Sequence, residues 1–143
     1  MKRRTRKVAT QLAVIGTGLA GFAAAIFARD RGLEVAQFGH SGALAYTTGY
    51  FDLLGVQNGQ VLSDPWAGLE DLRKTEPNHP LARVPQDQIR TAMERFVDAI
   101  GKMGLRYTPP LTHNLDALLP YGVTKPTLSM PETMRPGIEA MRS

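Results

Sequence analysis

The chain opens on a charged run and then turns apolar, and apolar positions afterwards recur at two different spacings. Residues 8–15 read as a buried strand. Val8, Ala9, Leu12, Ala13, Val14 and Ile15 lie between charge on one side and glycine on the other. An alanine-rich helix fits Leu19 to Asp30 and stops before Gly32, a residue suited to a left-handed helix end. Residues 33–38 form a second short strand around Val35, Ala36 and Phe38. Strand, helix and strand in this order predict one βαβ unit with a right-handed crossover, and hence an α/β fold class.

Beyond residue 55 the spacing becomes helical. Asp64 and Pro65 have the chemistry of an N-cap and a first helical position, and Leu69 and Leu72 then share a face. Pro77, Asn78, His79 and Pro80 break that helix. Residues 86–103 place Ile89, Ala92, Met93, Phe96, Val97, Ile100 and Met103 on one stripe, which reads as core packing. Few packing partners for the stripe are evident elsewhere in the chain. Residues 105–108 are the one later strand candidate, stopped by Pro109 and Pro110. From there Pro120, Pro126, Pro131 and Pro136 punctuate a stretch without long periodicity, and no closing helix or strand pattern precedes Ser143. The reading divides the chain into a basic tail (1–7), a βαβ unit with a following loop (8–55), a helical segment (56–104) and the start of a further region (105–143).

Charge alters this picture at one place. The formal net charge is +4, but five of the 17 basic residues are Lys2, Arg3, Arg4, Arg6 and Lys7. The remainder holds 12 basic against 13 acidic residues, so the basic character belongs to a short solvated tail rather than to a nucleic-acid-binding face. The same tail precedes an uncharged stretch, 8–28, that resembles a signal peptide or anchor, with Ala23, Ala24 and Ala25 at a cleavage-like position. Gly16, Gly18 and Gly21 interrupt that stretch, and Thr10 and Gln11 shorten its apolar part to the lower limit for a membrane span. A cytoplasmic strand–turn–helix is the reading adopted. The chain has no cysteine, so it supplies no disulfide, thiolate nucleophile or cysteine-held iron–sulfur cluster. His40, His79 and His113 lack paired-ligand spacing, and no metal site is expected.

The candidate chemistry lies between the first strand and the first helix. Gly16, Thr17, Gly18, Leu19, Ala20 and Gly21 spell GxGxxG. The first glycine permits a tight turn, the second lets a pyrophosphate approach the backbone, and the third lets the helix lie close to the sheet. The helix start offers N–H groups and the positive end of its dipole to phosphates. The second strand normally delivers an acid about twenty positions on, to hold a ribose. Gly39 stands there, followed by His40 and Ser41, either of which offers a hydrogen bond instead, while Glu34 comes too early. Thr47, Thr48 and Gly49 would suit the edge of a planar ring, with Asp52 anchoring the turn; the same residues also read as a plain loop and a capped short helix.

The run from Ile15 to Gly21, followed by Thr48-Gly49-Tyr50-Phe51-Asp52-Leu53-Leu54, resembles the B subunit of anaerobic glycerol-3-phosphate dehydrogenase. That family carries Ser-Gly-x-x-Asp-Leu-Leu after its second strand, and here Thr48 keeps the hydroxyl. Asp64-Pro65-Trp66-Ala67-Gly68-Leu69-Glu70, Asn78-His79-Pro80 and the segment from Pro120 to Thr127 resemble later parts of the same family. The resemblance implies a Rossmann-like FAD/NAD(P)-binding unit in a flavoprotein, with FMN as the usual flavin and FAD as the alternative. The missing acid at Gly39 suits FMN, which has no adenosine. It implies oxidation of glycerol 3-phosphate to dihydroxyacetone phosphate, with electrons passed toward quinone. The implied partners are the catalytic flavoprotein of the same complex and its iron–sulfur membrane component, which would place the chain at the inner face of the membrane. Gly16, Thr17, Gly18, Leu19, Ala20, Gly21, Thr48 and Gly49 are the implied flavin contacts. Lys125 is a candidate anion contact with an exposed lysine as the plainer reading, and no catalytic residue is identified. Family members are roughly three times this length, enough for a much larger core, so the chain reads as an N-terminal portion. The alternatives are a fumarate-reductase-like flavoprotein fragment and a non-catalytic nucleotide-binding or interaction module.

Because the tail precedes the strand and the glycine turn, removal of residues 1–6 is expected to leave flavin retention unchanged. Equilibrium dialysis against FAD and FMN measures this, and N-terminal sequencing of the native protein is expected to show no processing near Ala25.

Overall fold

The structure is a computed structural model, and it describes residues 7–40, 48–110 and 112–142. Most of the basic tail, together with Ser41 and Thr47, lies outside the described residues. The chain divides into two compact units, Met1–Thr47 and Thr48–Ser143.

The first unit is built on β1 (Leu12–Ile15), α1 (Leu19–Asp30) and β2 (Val35–Phe38). The strands run parallel in the register Leu12 to Val35 through Ile15 to Phe38. α1 buries Ala25, Ile26 and Ala28 and has the bounds expected from its apolar pattern. Gly32, at φ +80°, ends it, with the Leu33 N–H returning to the Ala28 carbonyl. Both strands are shorter than 8–15 and 33–38. The cause lies in Thr10, Gln11 and Glu34. The Thr10 hydroxyl donates to the Glu34 carbonyl, and the Gln11 side chain accepts from the Glu34 N–H, so side chains share the bonding there with the Gln11 and Leu12 N–H groups, which also donate to the Glu34 carbonyl.

The second unit contains β3 (Val56–Gln57), β4 (Gln60–Val61), α2 (Pro65–Thr75), α3 (Gln86–Lys102), β5 (Leu115–Leu118), β6 (Thr124–Thr127) and α4 (Arg135–Arg142). A short 3-10 turn, Pro80–Arg83, fills the break between α2 and α3, capped by the His79 ring. Asp64 caps α2 as its sequence implies, accepting from the Trp66 and Ala67 N–H groups. At Gly68 α2 comes so close to its neighbours that a Cβ would lie 2.5 Å from the Leu62 side chain.

Trp66, Leu69 and Leu72 of α2, Met93 of α3 and Leu128 form one core cluster, with Phe51, Leu53, Leu81 and Ile89 packed against it. Phe96 stacks on Phe51 with ring centroids 5.3 Å apart, and the Arg90 guanidinium lies 4.1 Å over the Trp66 ring. Tyr50, Ala117, Met130 and Ile138 form a second cluster. Residues 127–131 are buried throughout and run between the two. Phe51 exchanges backbone hydrogen bonds with Ser129 on one side, and the Thr108 N–H donates to the Met130 carbonyl on the other.

Several expectations are corrected here. The stripe on α3 does find partners within the chain, because Met93 and Phe96 are buried in the second unit; Met103 alone of the seven is mostly exposed. Residues 105–108 form no strand, since Tyr107 makes an isolated bridge with Pro131. The stretch after Pro110 is not without pattern: β5 and β6 make an antiparallel pair, and α4 reaches Arg142, with Pro136 tolerated in its first turn. The stretch read as helical opens instead on a hairpin, β3–β4, turning at Asn58 and Gly59 with φ of 49° and 76°. Residues 48–55 contain no helix and pack within the second unit.

Two substitutions test this packing. Leu128→Ala, at a side chain with no exposure, is expected to cost about 2–5 kcal/mol in urea unfolding. Asp64→Ala is expected to cost about 1 kcal/mol through loss of the α2 cap.

Candidate functional site

In the first unit the three glycines do three different jobs. Gly16 has φ +123°, a conformation that other residues rarely adopt. Its N–H donates to the Phe38 carbonyl at 2.8 Å, and its carbonyl accepts from the Gln37 side chain at 2.8 Å, which fixes the turn to the end of β2. A Cβ on Gly21 would run into the Gly16 carbonyl oxygen, so the third glycine is required where α1 doubles back on the turn. Gly18 is not held to glycine by its backbone. It is the N-cap of α1 at φ −81°, ψ 178°, extended backbone open to any residue.

The start of α1 has no side-chain cap and no acidic residue in its first turn, whereas α2 carries its own carboxylate at the same place. Such a helix start presents N–H groups and a positive dipole end without an internal anion. Leu19 is half-buried and Ala20 exposed. Thr17 donates its hydroxyl to the His40 carbonyl. Gly39, where a ribose-holding acid would stand, lies against that threonine: a Cβ there would be 3.0 Å from the Thr17 methyl and 3.1 Å from its hydroxyl. His40 is exposed.

Thr48 and Gly49 belong to the second unit. Gly49 is left-handed at φ +72°, and its carbonyl accepts a hydrogen bond of 2.5 Å from the Tyr107 hydroxyl. The next residue, Tyr50, is buried and donates its hydroxyl to the Leu118 carbonyl at 2.5 Å. Burial raises the Tyr107 phenol above its ordinary pKa; burial first and the Asp52 charge second raise that of Tyr50. Both therefore remain donors through neutral pH. Asp52, expected to anchor the turn, pairs with Lys125 of β6, whose ammonium lies 5.4 Å from the centre of the Tyr50 ring. Lys125, the candidate anion contact, is thus engaged by a carboxylate of its own unit.

Sequence reasoning missed both tyrosines. Each acts through a partner 58 or 68 residues away; Tyr107 belongs to no local motif, and Tyr50 stands at an unspecified position of the 48–54 run. It also missed Asn114, whose amide donates to the Leu54 and Leu62 carbonyls while its buried Oδ1 has no partner among the described residues. A cavity of about 360 Å³ lies in the second unit, lined in part by Thr108, Leu115, Met130 and Ile138. None of the sequence-predicted site residues lines it. No helix among the described residues is long and apolar enough to cross a membrane.

The family described as FAD binding domain matches residues 11–140. The chain is 30% identical over 128 residues to the B subunit of anaerobic glycerol-3-phosphate dehydrogenase from Vibrio cholerae, which covers 84% of this chain and 28% of that protein. It is 29% identical over 113 residues to the protein of the same name in Aliivibrio fischeri, covering 78% of this chain and 24% of the relative. The Actinobacillus pleuropneumoniae protein of that name is 24% identical over 123 residues, 85% of this chain and 29% of its own. The chain therefore spans 24–29% of the length of these relatives. No solved structure matches. The glycine turn, the α/β unit around it and a match over nearly the whole chain agree: the chain belongs to the FAD binding domain family of flavoproteins.

Proposed function

We propose that this chain holds the flavin of a dehydrogenase component similar to the B subunit of anaerobic glycerol-3-phosphate dehydrogenase. The observation that carries this reading is Gly18. It is a glycine at the head of a helix without its own cap, in a backbone conformation that does not call for glycine. A requirement for close approach by a phosphate accounts for it.

Residues 16–21 hold the phosphate end of the cofactor. Gly16 turns the chain away from β1, Gly21 lets α1 close on the turn, and the N–H groups at the start of α1 face the charge. Thr48 and Gly49 contact the flavin through a hydroxyl and a backbone without a side chain. FAD, the form in the family's description, is the favoured cofactor. With Gly39 packed on Thr17, ribose recognition falls to backbone groups and to His40 or Ser41 rather than to an acid. Flavin, when bound, supplies a two-electron acceptor for conversion of the carbinol of glycerol 3-phosphate to the ketone of dihydroxyacetone phosphate. Electrons leave toward quinone through the catalytic flavoprotein and iron–sulfur partners; these 143 residues, without cysteine, hold no thiolate-ligated cluster themselves. The residues that bind glycerol 3-phosphate and take its hydroxyl proton are not assigned.

Gly18→Val is expected to weaken flavin binding roughly tenfold or more, about 1.4 kcal/mol, while the thermal midpoint stays close to that of the unchanged protein. Lys74→Ala, on the exposed side of α2, serves as the control. Equal affinity of the Gly18→Val and unchanged proteins for FAD and for FMN in equilibrium dialysis would remove the site from this turn. In a dye-reduction assay with glycerol 3-phosphate, the chain reconstituted with either flavin is expected to stay at background without its partners. Robust turnover in either sample would show that the reaction needs no more than these residues.

A further inference from the structure

The hydrogen bond from Tyr107 to Gly49 has a role that neither the glycine turn nor the motif around Thr48 explains. Glycine at φ +72° is weakly restrained by its own sterics, since it crosses to other conformations without a Cβ penalty. Its peptide is held by bonding instead. The Tyr107 hydroxyl does so at 2.5 Å, and a Cβ on Gly49 would lie only 3.2 Å from that oxygen.

Tyr107 is itself well anchored. It is 7% exposed, bridges Pro131, and is flanked by the bonds from the Glu132 N–H to the Arg106 carbonyl and from the Thr108 N–H to the Met130 carbonyl. The residues after Gly49 have separate restraints: Tyr50 on Leu118, Phe51 on Ser129, and Asp52 on Lys125. Loss of the Tyr107 hydroxyl therefore removes one of the bonds at Gly49, at the head of a run whose later residues keep their own contacts.

We propose that Tyr107 is the positioning residue of the cofactor loop, its hydroxyl fixing the backbone of Thr48 and Gly49 in the conformation that receives the flavin. The inference rests on the flavin role of Thr48 and Gly49 proposed above. Burial keeps the phenol protonated, so the donor persists across the neutral range.

The test is Tyr107→Phe in the full chain, which keeps the ring and removes the donor. Hydrogen exchange of the flavin-free protein is expected to show faster exchange over residues 48–51 than in the unchanged protein. Dissociation constants for FAD and FMN are expected to rise about tenfold, with little change in thermal midpoint. A merely structural hydroxyl would lower the midpoint and leave flavin affinity unmoved, and that result overturns the proposal. Should Tyr107→Phe fail to fold, Gly49→Ala disturbs the same lock from the other side, and unchanged flavin affinity in that variant also overturns it. If the unchanged protein binds neither flavin, the reading of the cofactor fails; the exchange measurement then still decides the lock, with unchanged protection at 48–51 counting against it.

Discussion

The second unit depends on one buried run of backbone. Thr127, Leu128, Ser129 and Met130 are each no more than 2% exposed, and such a segment must find partners for every N–H and carbonyl without help from water. It finds them on both flanks, in the strand-like residues around Phe51 and in those around Thr108. Ser129 and Thr108 add their hydroxyls to the same network. Leu128 then points into the cluster beneath α2 and α3, and Met130 into the cluster with Tyr50 and Ile138. The backbone bonds and the two apolar cores are thus one arrangement, and the placement of Gly49 and Tyr107 follows from it.

The first unit is organised differently. Its glycine turn separates conformational need from chemical need: Gly16 serves φ, Gly21 serves packing, and the extended backbone of Gly18 calls for no glycine. This division is visible only once dihedral angles and neighbours are known, because the three glycines look alike in sequence. It also explains why the motif carries weight here. Backbone conformation calls for glycine at 16 and packing calls for it at 21, whereas the dihedral angles of position 18 suit any residue.

What the sequence revealed was local. α1 was legible in full because its apolar pattern and Gly32 lie within one element, and the α2 cap was legible because Asp64 and Pro65 adjoin the helix they start. The turn at 16–21 was legible for the same reason. The β5–β6 pair was not: its strands have four residues each, Pro126 interrupts one of them, and their pairing is set by packing over 48–55 and α4 rather than by alternation. A Cβ at Gly55, 2.6 Å from the Pro126 ring, shows how closely those segments meet. The Asn58-Gly59 hairpin had a readable signal of its own, hidden by the stronger helical spacing that follows it. The candidate site divided in the same way. Its glycines were found from spacing, whereas Tyr107 acts across 58 residues and leaves no trace in any short window.

The contact between Gly39 and Thr17 constrains how this chain can change over evolutionary time. An acid at position 39 would bring a Cβ against the threonine side chain and within 3.3 Å of its backbone nitrogen. Thr17 in turn ties the turn to the His40 carbonyl, so replacing it first loosens the loop that an acid would need to occupy. The two substitutions act on one contact, so non-additive effects are expected of them. Single-step drift toward an acid-bearing ribose site therefore works against the Thr17 contact, and the two positions are expected to change together.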